Sequence, residues 1–421
     1  MGEETQKHLK AERCLIVFAF QRETEDERRR RMAELSEIVH SCGGVVVGVV
    51  AQSLDRLHAK SLIGTGKVEE IAAAVEQDDI DLVVFEEELT GAQRGYLSDA
   101  ISCKVLDRVD LILDIFAQRA RTPKAKLDVA LAQLEYRLPH LRGYGKALSR
   151  EGGGIGTRGP GEQKLETDRR AIEARIKSIK NERERIATQE QESSKKRRQG
   201  ALPIVSLIGY TNAGKSTLMN ALVSHFGEAD KAVYADDRLF ATLSVQLRRI
   251  DEAHEPPYLL ADTVGFIEDL PEKLINPFES TLSEVEHADL LVHVIDGSTP
   301  GVGARVETVM AQSAPYRKGA SVLYVMNKAD VAREPLASPP EETLRISAHD
   351  EEDVVRLHRR ILDELYGPKE EREMTLPFDD LDVLSALHRH AEVLDEAAVD
   401  DGLFVRFRAR PGFLSLKREA F

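Results

Sequence analysis

The chain has 421 residues, of which 42% are hydrophobic, and it carries a formal net charge of −15 at pH 7. A single hydrophobic core rarely organises this length, so we expect a globular protein with several domains. The acidic balance excludes a protein that coats nucleic acid over its whole surface, because phosphate groups would repel it at long range, and any contact with RNA must use a local basic patch.

The composition also argues against membrane insertion and against a disulfide scaffold. No apolar run reaches the roughly 18 residues that a membrane span requires, and residues 1–4 are polar and acidic rather than signal-like. Cys14, Cys42 and Cys103 are widely spaced and form no CxxC pair, which favours neither disulfides nor a zinc site. We therefore expect a cytoplasmic protein.

The N-terminal part alternates short β-rich runs with helical stretches. The β-rich runs cover residues 15–20, 45–50 and 82–85. This alternation predicts an α/β domain over residues 1–116 with a mainly parallel sheet. Within it, residues 64–67 (Gly-Thr-Gly-Lys) resemble a fragment of a phosphate loop but lack the spacing of one, so a turn that precedes a helix is the favoured interpretation.

Two long helical segments follow, over residues 117–200. Apolar side chains recur at helical spacing in both segments, which predicts an antiparallel hairpin that buries the two stripes. The connection, residues 151–162, is rich in glycine, and composition alone indicates a flexible linker. The stripes consist of Leu127, Leu131, Leu134 and Leu138 in the first segment and of Leu165, Ile172, Ile179 and Ile186 in the second.

Basic residues are concentrated in this same region. Between Ala117 and Arg150, eight lysines and arginines stand against only Asp128 and Glu135, and a second run covers residues 195–198. Charge runs are usually solvated surfaces, but a local basic patch also attracts phosphate. From the residues alone, an RNA contact and a solvated surface are equally favoured.

A phosphate-binding loop is predicted after the apolar run 204–208. In such a loop glycines let backbone N–H groups approach phosphate oxygens, Lys215 supplies charge to the β- and γ-phosphates, and the Ser216 hydroxyl ligates Mg²⁺. We therefore predict a P-loop domain over residues 201–367 with a doubly wound, mostly parallel sheet. The predicted nucleotide contacts in the loop are Gly209, Tyr210, Thr211, Asn212, Ala213, Gly214, Lys215, Ser216 and Thr217.

Two further segments are predicted to read the γ-phosphate. The strand-like run 258–261 leads into a D-x-x-G pattern, in which Asp262 holds Mg²⁺ through water and the Gly265 N–H senses the γ-phosphate. The best candidate for the threonine of the first switch is Thr242, in the run Phe-Ala-Thr-Leu over 240–243. The residues predicted to act in hydrolysis are Lys215, Thr242 and Gly265, and the predicted Mg²⁺ ligands are Ser216, Thr242 and Asp262.

Base recognition is predicted at the end of the buried run 321–326, which delivers an N-K-x-D motif. The Asp330 carboxylate can accept from the guanine N1–H and the 2-amino group together, whereas adenine offers no such donor pair, and the Lys328 stem can lie along the base. The sequence therefore predicts GTP or GDP as the ligand. The residues predicted to contact the base are Asn327, Lys328, Asp330, Ser347 and Ala348.

Two residues constrain how GTP could be hydrolysed. Phe266 follows Gly265 at the position where Ras-like switches carry a glutamine that orients water, and a phenyl ring cannot make that hydrogen bond. Asn212 stands where some GTPases recruit K⁺ beside the phosphates, although a role in stabilising the loop is equally favoured. We expect hydrolysis to be slow alone and to depend on K⁺ or on a partner.

A small C-terminal α+β domain is predicted over residues 372–421. Acidic residues over 368–373 mark its boundary, and an alternating pattern over 403–409 indicates a strand. The preceding pattern indicates a helix through Leu384, Leu387, Ala391 and Leu394.

Taken nearly end to end, the chain resembles the HflX GTPases, a ribosome-associated family related to translation factors. The glycine-rich segment Gly156-Thr157-Arg158-Gly159-Pro160-Gly161-Glu162 is nearly diagnostic of that family and makes a plain linker a weak alternative. The other segments that carry the resemblance are 62–71, 111–117, 165–170, 209–216 and 262–267.

We expect a monomer. The resemblance implies a protein that docks its N-terminal region on the large ribosomal subunit, where the glycine-rich loop reaches toward the peptidyl transferase centre. It also implies that GTP licenses binding, that the ribosome stimulates hydrolysis, and that stalled ribosomes are split or rescued under stress. Two alternatives remain: an RNA remodeller with a second nucleotide site at 64–67, and a signalling switch with a protein partner. The implied RNA contacts are Gly154, Gly156, Arg158, Gly159 and Gly161.

Overall fold

The computed structural model describes residues 11–120, 122–148, 160–197, 202–227, 246–263, 265–266, 286–299, 302–317, 319–331, 342–378 and 381–411. Among these, the residues up to Thr188 form one compact unit and those from Gln189 onward form a second. The structure confirms the predicted mixed α/β class with a P-loop domain. The division into four domains at the boundaries given above stays a prediction.

The first unit contains a four-stranded parallel sheet in the order β2-β1-β3-β4. All four side chains of β3 are buried, as expected for a parallel sheet covered on both faces. The three predicted strands are present, and β4 is an additional one. The strands are β1 (Arg13–Phe20), β2 (Val45–Ser53), β3 (Leu82–Phe85) and β4 (Lys104–Asp107), and the helices are α1 (Glu25–Ser41), α2 (Thr65–Asp78), α3 (Gly91–Ile101) and α4 (Arg108–Arg119).

The predicted helical hairpin consists of α5 (Pro123–Leu148) and α6 (Pro160–Arg197). The helices run antiparallel, because Lys180 and Arg183 of α6 pair with Glu135 and Asp128 of α5 in reverse order, at 2.8 Å and 2.5 Å. Helix α6 begins at Pro160, so the prediction that 160–162 belong to the linker is wrong. Proline is favoured in the first turn of a helix, where its missing N–H has no partner to lose.

The second unit contains a six-stranded sheet in the order β10-β9-β8-β5-β7-β6, parallel except for β6. Strand β5 lies between β7 and β8, where the strand order reverses, and ligands bind at the carboxyl end of such a point. The strands are β5 (Ile204–Ile208), β6 (Gln246–Ile250), β7 (Tyr258–Asp262), β8 (Leu290–Asp296), β9 (Ser321–Asn327) and β10 (Leu344–Arg345), and the helices are α7 (Lys215–Phe226), α8 (Val302–Ser313) and α9 (Glu351–Tyr366).

The C-terminal part is an α+β element, as predicted. The helix that contains Leu384 and Leu387 ends at His390, and Leu394 lies in a strand. The prediction of one helix from Leu384 through Leu394 is therefore wrong. The acidic run taken as a boundary belongs to β11. The elements are β11 (Glu370–Leu376), α10 (Leu381–His390), β12 (Glu392–Val399) and β13 (Gly402–Ala409), with the antiparallel order β11-β13-β12.

Across the described ranges, none of the helices combines the length and apolar character needed to cross a membrane.

Candidate functional site

The loop from β5 to α7 has a backbone that requires glycine at two positions. Gly209 has a φ of 152°, and a Cβ there would lie 2.2 Å from the Val294 carbonyl oxygen. Gly214 has a φ of 87°, and a Cβ there would lie 2.2 Å from the Asn327 side-chain nitrogen. Because both approaches are far inside van der Waals contact, side chains are excluded and the loop can curve back toward the start of α7.

Lys215, the first residue of α7, turns its side chain back into this loop. Its Nζ donates to the carbonyl oxygens of Gly209, at 3.1 Å, and Tyr210, at 2.8 Å. Burial lowers the pKa of Lys215 to about 8, although the carboxylate of Asp262 acts in the opposite direction. A buried ammonium at a helix N-terminus is placed to bind phosphate oxygens, and a polyanion would favour its charged form.

Ser216 and Asp262 bring two oxygen ligands together. The Ser216 hydroxyl donates to Asp262 Oδ2 at 2.7 Å, and Asp262 is fully buried at the end of β7. Hard oxygen donors of this kind fit Mg²⁺, which keeps several waters and is held by one or two carboxylates with substrate phosphates rather than by a protein cage. The described residues contain no group of three or more potential ligands among His, Cys, Asp and Glu. Thr242, the third predicted ligand, lies outside the described residues.

The segment after β7 lies directly against the phosphate loop. The Phe266 N–H donates to the Gly209 carbonyl at 3.0 Å, and the Thr211 N–H donates to the Phe266 carbonyl at 2.8 Å. A Cβ on Gly265 would lie 2.7 Å from Thr211 Cα and 2.9 Å from Lys215 Nζ. The sequence did not predict these backbone hydrogen bonds. Because of them, a movement of the D-x-x-G segment would also displace the phosphate loop.

Asn327 joins the loops that surround the site. Its side-chain nitrogen donates to the Ala213 carbonyl at 2.9 Å, and its Oδ1 accepts from the Ala348 N–H at 3.0 Å. The Ser347 N–H in turn donates to the carboxylate of Asp353, in the first turn of α9, at 2.7 Å. The first residue of the N-K-x-D motif therefore fixes the phosphate loop and the Ser-Ala loop to the same strand end.

Lys328 and Asp330 differ in their surroundings. The Lys328 ammonium donates to the Asn212 carbonyl and to Asp296 Oδ2, both at 2.8 Å. Asp330 is exposed, and its carboxylate makes no hydrogen bond within the part of the chain that the structure describes. A carboxylate in this condition has free acceptor capacity for a ligand. Sequence reasoning missed Asp296, although it ends a buried strand, as Asp262 does.

Most of the predicted nucleotide residues are thus brought to one edge of the sheet, and their role in binding stays a prediction. Thr217 follows them on α7 and is half-buried. Of the implied RNA contacts, Gly161 lies in the first turn of α6. The others, Gly154, Gly156, Arg158 and Gly159, lie outside the described residues.

The Gly-Thr-Gly-Lys segment at 64–67 does not have the geometry of a phosphate loop. Gly64 has a φ of −63° and caps α2, and its N–H donates to the Gln52 side chain at 2.9 Å. The Lys67 ammonium pairs with Glu70 of the same helix at 2.6 Å. Gly64 is the N-cap of α2 and residues 65–67 form its first turn, so the segment belongs to the helix start rather than to a turn that precedes it.

Comparison with known protein families gives three matches along the chain. Residues 29–117 match the model described as GTP-binding GTPase N-terminal, and residues 119–197 match GTP-binding GTPase Middle Region. Residues 204–328 match the model described as 50S ribosome-binding GTPase. The third match covers the loop from β5 to α7, the segment after β7 and the first two residues of the N-K-x-D motif, Asn327 and Lys328.

Similar proteins cover almost the whole chain. GTPase HflX of Caldanaerobacter subterraneus subsp. tengcongensis is 40% identical over 94% of this chain and 90% of its own length. GTPase HflX of Escherichia coli K12 is 39% identical over 90% of this chain and 89% of its own length. Among solved structures, that of SsGBP in complex with GDP covers 83% of this chain and 97% of its own, with a TM-score of 0.50 and 21% identity, which supports the fold alone.

Proposed function

Because the chain belongs to the HflX family of GTPases and is therefore a GTP-hydrolysing enzyme, we propose that it binds the large ribosomal subunit in its GTP form and splits or rescues stalled ribosomes. The ribosomal part rests on the match of residues 204–328 to a 50S ribosome-binding GTPase model. The nucleotide part is supported by the geometry of the site, in which Asn327 joins the phosphate loop to the Ser-Ala loop at 347–348.

The charge distribution of the helical hairpin supports a contact with RNA. The two acidic side chains of the predicted basic patch, Asp128 and Glu135, are both engaged by basic residues of α6. The side chains of Lys126 and Arg137 on α5 remain exposed, and Arg137 has the carboxylate of Asp114 of α4 nearby. Local positive charge of this kind attracts the phosphate backbone even on an acidic protein.

The length of the hairpin also suits a probe that reaches into a large particle. Helix α6 has 38 residues, and at a rise of about 1.5 Å per residue it extends for roughly 57 Å. The glycine-rich segment that carries the family resemblance lies between α5 and α6.

The nucleotide would act through the residues already described. Mg²⁺, held by Ser216, Asp262 and the proposed Thr242, would neutralise charge on the β- and γ-phosphates. The Lys215 ammonium would bind the same oxygens, and the Gly265 N–H would detect the γ-phosphate. Backbone hydrogen bonds join Phe266 to Gly209 and Thr211 of the phosphate loop. Loss of the γ-phosphate can therefore change the conformation of the D-x-x-G segment and, with it, the surface that this segment offers to the ribosome.

Sedimentation through a sucrose gradient tests the proposal. The protein is mixed with ribosomes and a non-hydrolysable GTP analogue, GDP or no nucleotide, and Lys215→Ala serves as the nucleotide-blind control. We expect co-migration with large subunits in the analogue alone, and a fall in 70S particles if ribosomes are split. Tight GTP binding without co-migration would contradict the ribosomal role and favour a signalling switch with a protein partner.

A calorimetric titration with ATP tests the RNA-remodeller alternative. Full-length Lys215→Ala has an impaired phosphate loop, so any ATP that it still binds must occupy another site. The paired Lys67 and the ordinary backbone at Gly64 give no reason to expect one at 64–67. Stoichiometric ATP uptake by this variant in calorimetry would revive that alternative.

A further inference from the structure

The turn that follows β8 holds a carboxylate in a fixed orientation. Asp296 Oδ1 accepts from the Ser298 N–H at 2.8 Å and from the Ser298 hydroxyl at 2.5 Å. The Asp296 side chain is only 9% exposed. One carboxylate oxygen is therefore used to set the angle of the group, and the other is turned toward the site.

The second oxygen is bound to the lysine of the N-K-x-D motif. Lys328 Nζ donates to Asp296 Oδ2 and to the Asn212 carbonyl of the phosphate loop, both at 2.8 Å. The ammonium thus bridges a carboxylate from β8 and a carbonyl from the phosphate loop. A lysine side chain has four rotatable bonds, and anchors at its end restrict the path of the whole stem.

The backbone joins the same two segments. The Gly297 N–H donates to the Asn327 carbonyl at 2.9 Å, and a Cβ on Gly297 would lie 2.9 Å from the Met326 side chain and 3.0 Å from that carbonyl. The turn at 296–298 is therefore packed against the end of β9 without room for a side chain. A change in the turn would be transmitted directly to the residues that face the base.

From this geometry we infer that Asp296 is a positioning residue for the guanine nucleotide. Asp296 fixes the Lys328 side chain so that its apolar stem can lie along the purine. It also keeps the Lys328 ammonium bonded to the Asn212 carbonyl of the phosphate loop. The contacts to the base and to the phosphates are therefore formed together. The consequence is slow release of bound nucleotide. This inference rests on the nucleotide part of the proposed function and is independent of the ribosome.

A role of Asp296 in stabilising its own turn would predict a different pattern of coupling. In that case, removal of the carboxylate would perturb the site whether or not the Lys328 ammonium were present. If Asp296 acts through Lys328, its removal should have no further effect once the ammonium is gone. A double-mutant cycle separates these two roles because it measures the interaction rather than either residue alone.

The test measures the dissociation rate of fluorescent mant-GDP, chased with excess GDP, for the full chain and four variants. We expect Asp296→Asn to release mant-GDP about 10-fold faster, as for the loss of a hydrogen bond to a charged group. Lys328→Met, which keeps the apolar stem, should be at least as fast, and the double variant should be no faster than Lys328→Met. Glu307→Gln, an exposed carboxylate on α8, is the charge-matched control and should release at the wild-type rate.

The inference is overturned if Asp296→Asn releases mant-GDP at the wild-type rate, or if the effects of Asp296→Asn and Lys328→Met multiply in the double variant. If Asp296→Asn does not fold, Ser298→Ala provides a second test, because it removes the hydroxyl hydrogen bond that orients the Asp296 carboxylate. Faster release of mant-GDP by Ser298→Ala supports the inference, and an unchanged rate contradicts it. Failure of the wild-type protein to bind mant-GDP would instead contradict the proposed function itself.

Discussion

The side-chain nitrogen of Asn327 donates a 2.9 Å hydrogen bond to the Ala213 carbonyl oxygen. The two residues are 114 positions apart in the chain, and both are almost completely buried. Through its Oδ1, the same amide also accepts from the Ala348 N–H. The loop predicted to bind phosphate and the loop predicted to bind the base are therefore joined by one side chain.

Asn327→Ala should weaken GDP binding without unfolding the protein. The substitution leaves a buried carbonyl and a buried N–H without their partners, and each such loss costs about 1–3 kcal/mol. Because the ligand selects the ordered arrangement of the loops, much of this cost should fall on binding, and we expect an affinity loss of about 100-fold. Equilibrium titration with mant-GDP measures it. Asn181→Ala, an exposed position on α6, is the control, and equal affinity of the two variants would contradict the prediction.

Asp330→Asn should change the preferred base from guanine to xanthine. The exposed carboxylate is replaced by an amide that donates where guanine also donates, whereas xanthine presents an acceptor at that position. We expect GDP affinity to fall by about 100-fold and XDP affinity to exceed it. Competition of GDP, XDP and ADP against mant-GDP gives the order. Retained selectivity for GDP would show that another residue reads the base.

The strands that carry the site were predictable because of how they are buried. Strands β5, β7 and β9 are enclosed by neighbours in a largely parallel sheet, so they appear in the sequence as continuous apolar runs, and each ends at the motif that it delivers. The phosphate loop and the N-K-x-D motif were found for that reason. The helical prediction extends wrongly to Leu394 because β12 lies at a sheet edge and most of its side chains are exposed, which removes the alternating pattern of a strand.

The contacts between loops were not predictable in the same way. The ladder between Phe266 and the phosphate loop is made by backbone atoms, which any residue type supplies. The bond between Asp296 and Lys328 joins positions 32 apart, and an aspartate followed by glycine and serine is an ordinary turn sequence. Such contacts depend on which strand ends become neighbours, and the strand order was known only from the structure.

Glu87 should make the stability of the protein depend on pH. Burial raises the pKa of this carboxyl to about 7, although Arg31 lies nearby and acts in the opposite direction. A raised acid pKa favours the protonated form in the folded state. The associated stability is fully present below the unfolded pKa of 4.5 and is lost as the pH rises through about 7.

Glu87→Gln, which mimics the protonated carboxyl, should therefore stabilise the protein at pH 8, by an amount on the order of 3 kcal/mol. At pH 4.5 the variant and the wild type should differ by less than about 0.5 kcal/mol. Urea unfolding followed by circular dichroism at both pH values measures this difference. Glu76→Gln, an exposed position on α2, serves as the control, and a Glu87→Gln effect of the same size at both pH values would contradict the assignment.

Arg410 should hold the C-terminal sheet in place through a buried ion pair. The residue follows β13, and its Nε donates to Glu255 Oε2 at 2.7 Å in the connection between β6 and β7. Its Nη1 donates to Asp363 of α9, at 2.6 Å, and to the Gly367 carbonyl, at 2.8 Å. The guanidinium is 4% exposed, so the bonds are made with little competition from water.

Arg410→Met should lower the free energy of local opening of β13 by about 3 kcal/mol, since removal of one member of a buried pair leaves the other charge uncompensated. Lys369 still pairs with Glu255 at 2.7 Å, which keeps the cost at the lower end of the range for buried pairs. Removing Glu255 as well, in Arg410→Met with Glu255→Gln, should restore part of the loss because the buried Glu255 carboxylate that has lost Arg410 is then gone, although Asp363 still lacks the guanidinium. Amide hydrogen exchange in β11 and β13 measures the opening free energy, and Arg408→Met, an exposed position on β13, is the control. If the opening free energy of the double variant falls by the sum of the losses in the two single variants, Arg410 and Glu255 do not act as a pair.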